Sequence, residues 1–284
     1  MPEAQPEGYS PTIKKRALSR RLREAREALG LTTSEVCKQL AWSPTRLNYI
    51  EHAKWVKPAT DAVIDLCELY GLEGRERERL IKLARDARQR GWWRKYNDVF
   101  TNELPGFEAG ASQIQTFEST FVPGLLQVRG YIELVTRAAG IEDPDGIRRH
   151  VDARIERQKI LTRDEDPCQM HAVIDESAIL RISNDKIRAE QLRHLLDMTE
   201  LPNVTVQLLL IANGVYPTKS SEPFVYLRFP DSADRDIVYL ETTVDDRMLE
   251  ERDELDIYAK RFSRLINAAC DPDRTRKHLK QQIE

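Results

Sequence analysis

Apolar residues recur at helical spacing through the first ninety positions, and from about residue 169 the pattern shifts to short alternating or wholly apolar runs of strand length. Within TSEVCKQLAWSPTRLNYIE, residues 33–51, Val36, Cys37 and Leu40 share one helical face, and Leu47 and Ile50 share another. The stretch between them is too short for anything but a tight turn. Ser43 suits an N-cap, since its hydroxyl can accept from a free amide of the first turn, and Pro44 at the first helical position sacrifices no hydrogen bond. The outward residues of the second helix are Thr45, Arg46, Asn48, Tyr49 and His52, nearly all hydrogen-bond formers. This pattern predicts a helix-turn-helix whose second helix enters a DNA major groove.

The flanks complete an all-α bundle. A helix over 14–28 carries Leu18, Leu22 and Ala25, with Arg16, Arg20, Arg21, Arg23 and Arg26 crowding its other faces, and Gly30 closes it. Pro58 breaks the chain ahead of a helix that starts at Thr60 or Asp61 and stops near Gly71, and a densely charged helix covers 74–90. Residues 1–11, rich in Pro, Glu, Gly and Ser, predict a disordered lead, and 12–90 the DNA-binding domain. Residues 91–106 read as a linker. Its paired Trp92 and Trp93 are expected to be packing aromatics at a domain boundary, because base-stacking platforms serve single strands.

From residue 107 an α+β domain with a small mixed sheet is expected, running to 284. Helices are predicted over 109–120, through Tyr131 and Leu134, and over 143–161 and 187–199; strands over 169–175, 204–211, 224–229 and 236–241; and closing helices over 249–269 and 272–283. The sheet should hold four strands or somewhat more.

Charge sharpens this division. The chain of 284 residues carries a net charge of −3, yet residues 12–95 hold 20 Lys+Arg against 11 Asp+Glu, and the remainder 24 against 36. A basic module joined to an acidic body fits a protein of which one part touches a polyanion. Cys37, Cys67, Cys168 and Cys270 show no paired spacing, which predicts reduced, mostly buried thiols. The longest apolar runs, such as 204–212, are strand-sized, and the start lacks an apolar signal core, so the expected setting is cytoplasmic and nucleoid-associated, away from any membrane.

Catalytic constellations are missing from the pattern. There is no GxGxxG, Walker loop, GxSxG or HExxH, and His150, His171, His194 and His278 lack ligand spacing. Neither metal, cofactor nor enzymatic activity is expected. Asp175 and Glu176 at one strand end could meet Glu241 at another as an acid/base pair, but in a chain with 32% charged residues they are expected to be solvated or ion-paired. The Glu222-Pro223-Phe224 segment with Tyr239 reads equally as the wall of a small-molecule or peptide groove and as ordinary core.

Residues 15–72 resemble the lambda-repressor-like (Xre-type) DNA-binding domain in RLREAREALGLT, in S-x-x-R-L-N-x-I-E and in a basic loop ending in Pro58. The resemblance implies a five-helix module with Val36, Leu40, Leu47 and Ile50 in its core. It puts Pro44, Thr45, Asn48 and Tyr49 at base-reading positions and Thr33, Arg46, His52, Lys54 and Lys57 at backbone-contacting ones. Ala41 and Ala53 stand where glycine is usual, so Ala41 must accept a positive φ at some cost or use a different turn. Pro44 cannot hydrogen-bond a base, which leaves Thr45, Asn48 and Tyr49, with Asn48 suited to an adenine edge.

Residues 105–280 resemble the C-terminal domain of actinobacterial WhiJ-like regulators in FEAGASQIQTFESTFVPGLLQVRGYIE, LPNVTVQLLLIANGVYP, EPFVYLRFP and DIVYLET. That implies a transcriptional regulator linked to development or antibiotic production, accompanied by a small partner protein of the BldB-like type. The leading expectation is a homodimer on double-stranded DNA, whose second domain senses a small partner protein or an unknown small ligand and sets dimerisation. The alternative is an antitoxin-like protein that neutralises a small neighbour-encoded protein and represses its own gene.

Overall fold

A computed structural model of the protein describes residues 10–55, 59–215, 220–231, 233–242, 244 and 246–283. These described residues form two compact units, one from within 10–94 together with 231, 233 and 234, the other from within 95–230 and 235–283. Lys57 and residues 1–9 lie outside the described residues.

The helical unit contains α1 (Pro11–Ala28), α2 (Thr33–Gln39), α3 (Pro44–Glu51), α4 (Thr60–Leu69) and α5 (Gly74–Ala87). Helix α1 starts three residues earlier than its apolar stripe suggests. The Ser10 hydroxyl accepts from the Ile13 amide at 3.3 Å and Pro11 takes the first helical position, so both belong to the helix and not to a disordered lead. The core is built from Leu18, Leu22, Val36, Leu47, Ile50, Val63, Leu66 and Leu80, all at most 3% exposed. The ends of α1 to α4 share one device. The amide three residues past the last helical residue reaches back to a carbonyl five residues earlier: Leu31 to Arg26, Trp42 to Cys37, Lys54 to Tyr49, Leu72 to Cys67. Each such turn places one residue at positive φ. Gly30 and Gly71 fill it after α1 and α4, whereas Ala41 (φ 52°) and Ala53 (φ 53°) fill it after α2 and α3.

Trp92–Tyr96 forms a short 3-10 turn in which Trp92 and Trp93 meet edge to face, ring centroids 5.9 Å apart. Trp93 is buried, so it offers no face on which a base could stack. The rest of the stretch expected to be a linker contains α6 (Leu104–Ala109).

The second unit is a six-stranded mixed sheet with helices. Its strands are β1 (Gln113–Glu118), β2 (Gln169–Asp175), β3 (Val204–Leu209), β4 (Phe224–Arg228), β5 (Ile237–Leu240) and β6 (Arg247–Leu249), in the spatial order β3-β2-β1-β4-β5-β6. Strands β1, β2 and β3 are parallel, and β4, β5 and β6 continue antiparallel from β1. Parallel neighbours need long crossovers, and these are α7 (Arg129–Ala138) with α8 (Pro144–Gln158), then α9 (Glu176–Leu180) with α10 (Asp185–Met198). Helix α11 (Arg252–Ala268) lays Phe262 and Leu265 on Phe117, Val173, Phe224 and Val238, and α12 (Pro272–Gln281) follows it.

Two local expectations change here. Residues 109–120 are not a helix: Gln113–Glu118 is a central strand, in which Ile114, Thr116 and Phe117 are buried between β2 and β4. Its β-branched and aromatic residues pack well on a pleated surface, and pairing on both sides overrides the weak helical periodicity. The short strand β6, missed because two of its three residues are exposed, extends the sheet beyond β5.

Candidate nucleic-acid interface

Helix α3 is fixed from three sides. Ser43 caps it by accepting from the Arg46 amide at 3.3 Å, and Leu47 and Ile50, at 0% and 3% exposure, seal its inner face into the core. Its last residue, Glu51, is buried and gripped by Arg26 of α1, with Nε–Oε1 at 2.6 Å and Nη2–Oε2 at 2.9 Å. A carboxylate at a helix C-terminus faces the negative end of the helix dipole, so this guanidinium offsets an unfavourable placement. Arg26 also donates to the Leu31 carbonyl at 2.8 Å, and its hydrogen bond to Glu51 raises its already high pKa further. Beyond α3, Trp55 is buried with its indole Nε1 donating to Ser19 Oγ at 3.2 Å, which ties the following loop to α1.

The opposite face of α3 is open. Pro44, Thr45, Arg46, Asn48, Tyr49 and His52 are all exposed, Tyr49 at 51%. The side chains of Thr45, Asn48 and Tyr49 have no hydrogen-bond partner among the described residues. An open apolar groove runs between α3 and the start of α4, lined by Thr45, Arg46, Tyr49, Ile50, Trp55 and Ala62. His52 ends the helix with Nδ1 2.9 Å from the Asn48 carbonyl, which assigns the Nδ1 proton to that bond and turns Nε2 outward. Thr33 is exposed at the first position of α2, whose N-cap is Thr32: its hydroxyl accepts from the Glu35 amide, while the Glu35 carboxylate accepts from the Thr32 amide at 2.8 Å. Lys54 is exposed just past α3.

The arginines of α1, by contrast, are not free charges. Besides Arg26, Arg20 pairs with Glu24, Arg21 with Glu76 and Arg23 with Glu27. These pairs cancel one charge against another within the stretch, so its surplus of positive charge is carried by its other basic residues. Two features escaped the pattern of apolar positions. One is the Arg26–Glu51 pair, joined across 25 residues. The other is Trp42, which packs on the core from the turn and carries the Arg46 guanidinium 3.9 Å from its ring centroid. The spacing of an aromatic and an arginine four positions apart was the available signal for the second.

In the other unit the acidic residues at strand ends are already engaged. Asp175 caps α9 by accepting from the Ser177 amide at 2.8 Å. Glu176 accepts from the Ile211 amide at 2.9 Å and lies 2.7 Å from His278 Nε2. The carboxylate that senses Glu241 is instead Glu118, at the end of β1. Burial first, and Glu241 second, push its pKa up to about 8, and it has no hydrogen-bond or ion-pair partner among the described residues. Glu222 accepts from the Tyr258 hydroxyl at 2.6 Å, Phe224 lies in the core, and Tyr239 is buried with its hydroxyl accepting from Asn102 at 2.8 Å. Among the described residues no three His, Cys, Asp or Glu side chains gather as metal ligands, no helix is long and apolar enough to cross a membrane, and the four cysteines are free and buried.

Residues 17–80 match the family described as a helix-turn-helix domain, which supports DNA binding and transcriptional regulation. Residues 101–281 match the family described as Domain of unknown function (DUF5753). No curated protein and no solved structure matches the chain.

Proposed function

Because the chain belongs to the DUF5753 family and opens with a helix-turn-helix domain, we propose that it is a sequence-specific transcriptional regulator acting on double-stranded DNA. The carrying observation is the division of α3: Leu47 and Ile50 are locked in the core while Thr45, Asn48 and Tyr49 stand exposed with unused hydrogen-bonding groups. Thr45, Asn48 and Tyr49 address base edges, and Asn48 has the paired donor and acceptor that match adenine. Thr33, His52, Lys54 and Lys57 contact the phosphate backbone and supply salt-sensitive affinity. One such module covers too few base pairs for specificity, so two copies pair, through the α+β unit, on two half-sites about one helical turn apart. The same unit senses a small partner protein or ligand and so governs that pairing. Light scattering of the full-length protein on DNA fragments recovered from the genome tests this. Two protomers per bound site support the proposal, and one protomer per site contradicts the paired reading.

A further inference from the structure

Trp42 sits in the turn between α2 and α3, partly buried, and packs against the bundle core. Its ring carries the Arg46 guanidinium at 3.9 Å from the centroid, and the Arg46 amide donates to Ser43 Oγ at 3.3 Å. Backbone and side chain of Arg46 are thus both held. No carboxylate pairs with Arg46 among the described residues, whereas Arg21 pairs with Glu76 and Arg26 with Glu51. Stacking occupies a flat face of a guanidinium and leaves the N–H edge of its fork free. Arg46 is the third residue of α3, in the N-terminal turn that a recognition helix points at base edges. Pro44 in the same turn brings no donor, so the turn's capacity to address a base falls on Thr45 and Arg46.

We infer that Arg46, positioned by Trp42, reads the O6 and N7 edge of a guanine in the major groove. This deepens the DNA-reading function above and rests on it. The Xre-type resemblance places Arg46 among the phosphate contacts; a held guanidinium suits a phosphate or a base edge, and the place of Arg46 in the first turn of α3 favours the base edge. Two parallel N–H bonds to guanine need a plane held in orientation. The stack provides that plane, and rotamer freedom surrendered on folding is not lost again on binding.

The test is selection of bound sites from randomised duplexes with the full-length protein, Arg46→Ala and Trp42→Leu. The wild type is expected to enrich a guanine at one position of each half-site. Arg46→Ala is expected to lose preference at that position by about 10- to 100-fold while keeping the order of preference over the rest of the site. Trp42→Leu, its fold monitored by circular dichroism, is expected to weaken the same position alone. Placing 7-deazaguanine there removes the N7 acceptor; this should weaken the wild type and leave Arg46→Ala unaffected. Unchanged preference in Arg46→Ala, with affinity lowered for all sites alike, or indifference of the wild type to 7-deazaguanine, overturns the inference; neither measurement alters the core. No enriched site from the wild type overturns the DNA-reading function itself, and this inference with it.

Discussion

Arg26 of α1 grips Glu51, the last residue of α3, through two hydrogen bonds of 2.6 and 2.9 Å, with the carboxylate side chain only 2% exposed. The orientation of the exposed face of α3 thus depends on a charge 25 residues away. Arg26→Ala leaves a carboxylate buried without its cation and orphans the Leu31 carbonyl. The expected loss is about 3–5 kcal/mol in urea unfolding, and Arg26→Met with Glu51→Leu together should recover much of it, since a packed apolar pair avoids both desolvation costs. A small loss from Arg26→Ala alone contradicts the pairing.

Ala41 and Ala53 both hold positive φ, where a Cβ crowds the backbone. Ala41→Gly and Ala53→Gly are each expected to stabilise the helical unit by about 0.5–1 kcal/mol, against the usual cost of adding glycine. Thermal unfolding of the single and double variants checks this, and destabilisation by either substitution would show that its turn is not strained.

Glu118 ordinarily titrates near 4.5 and in the fold near 8. A folded-state pKa raised above the unfolded one contributes stability that is fully present below about pH 4.5 and lost as pH rises through about 8. Glu118→Gln keeps the shape without the charge. Urea midpoints of the wild type should therefore fall between pH 5 and pH 9 relative to those of the variant, whereas parallel profiles would place Glu118 in water.

Lys54→Ala and Asn48→Ala should separate affinity from specificity. Removing Lys54 is expected to weaken binding to every duplex alike and to reduce the slope of log affinity against log salt by about 1. Removing Asn48 is expected to relax preference at one base pair by about 1–3 kcal/mol with the slope unchanged. Binding-site selection with each variant reads both effects, and identical behaviour of the two would refute the assigned roles.

The helix-turn-helix was legible because its signals are local. Apolar spacing at Val36, Leu40, Leu47 and Ile50, a Ser-Pro start and the exposed polar face all lie within twenty residues. Of the two turns left open at Ala41, the structure has the one with a positive φ. The strand β1 was not legible, because Gln113–Glu118 becomes a strand through pairing with β2 and β4, which lie 56 and 111 residues further along. The Arg26–Glu51 pair and the enclosure of Glu118 are likewise products of tertiary contact, without a periodic trace. The guanine contact inferred for Arg46 rests on its stacking over the Trp42 ring, and spacing alone does not encode which way that ring faces.

The most direct test is fluorescence anisotropy of the full-length protein with its selected duplex and with a scrambled duplex, from 50 to 300 mM salt. The expected result is binding to the selected duplex about 10³-fold or more tighter than to the scrambled one, with log affinity falling steeply against log salt for both. Equal affinity for the two duplexes, or a flat salt dependence, would contradict a groove-reading α3.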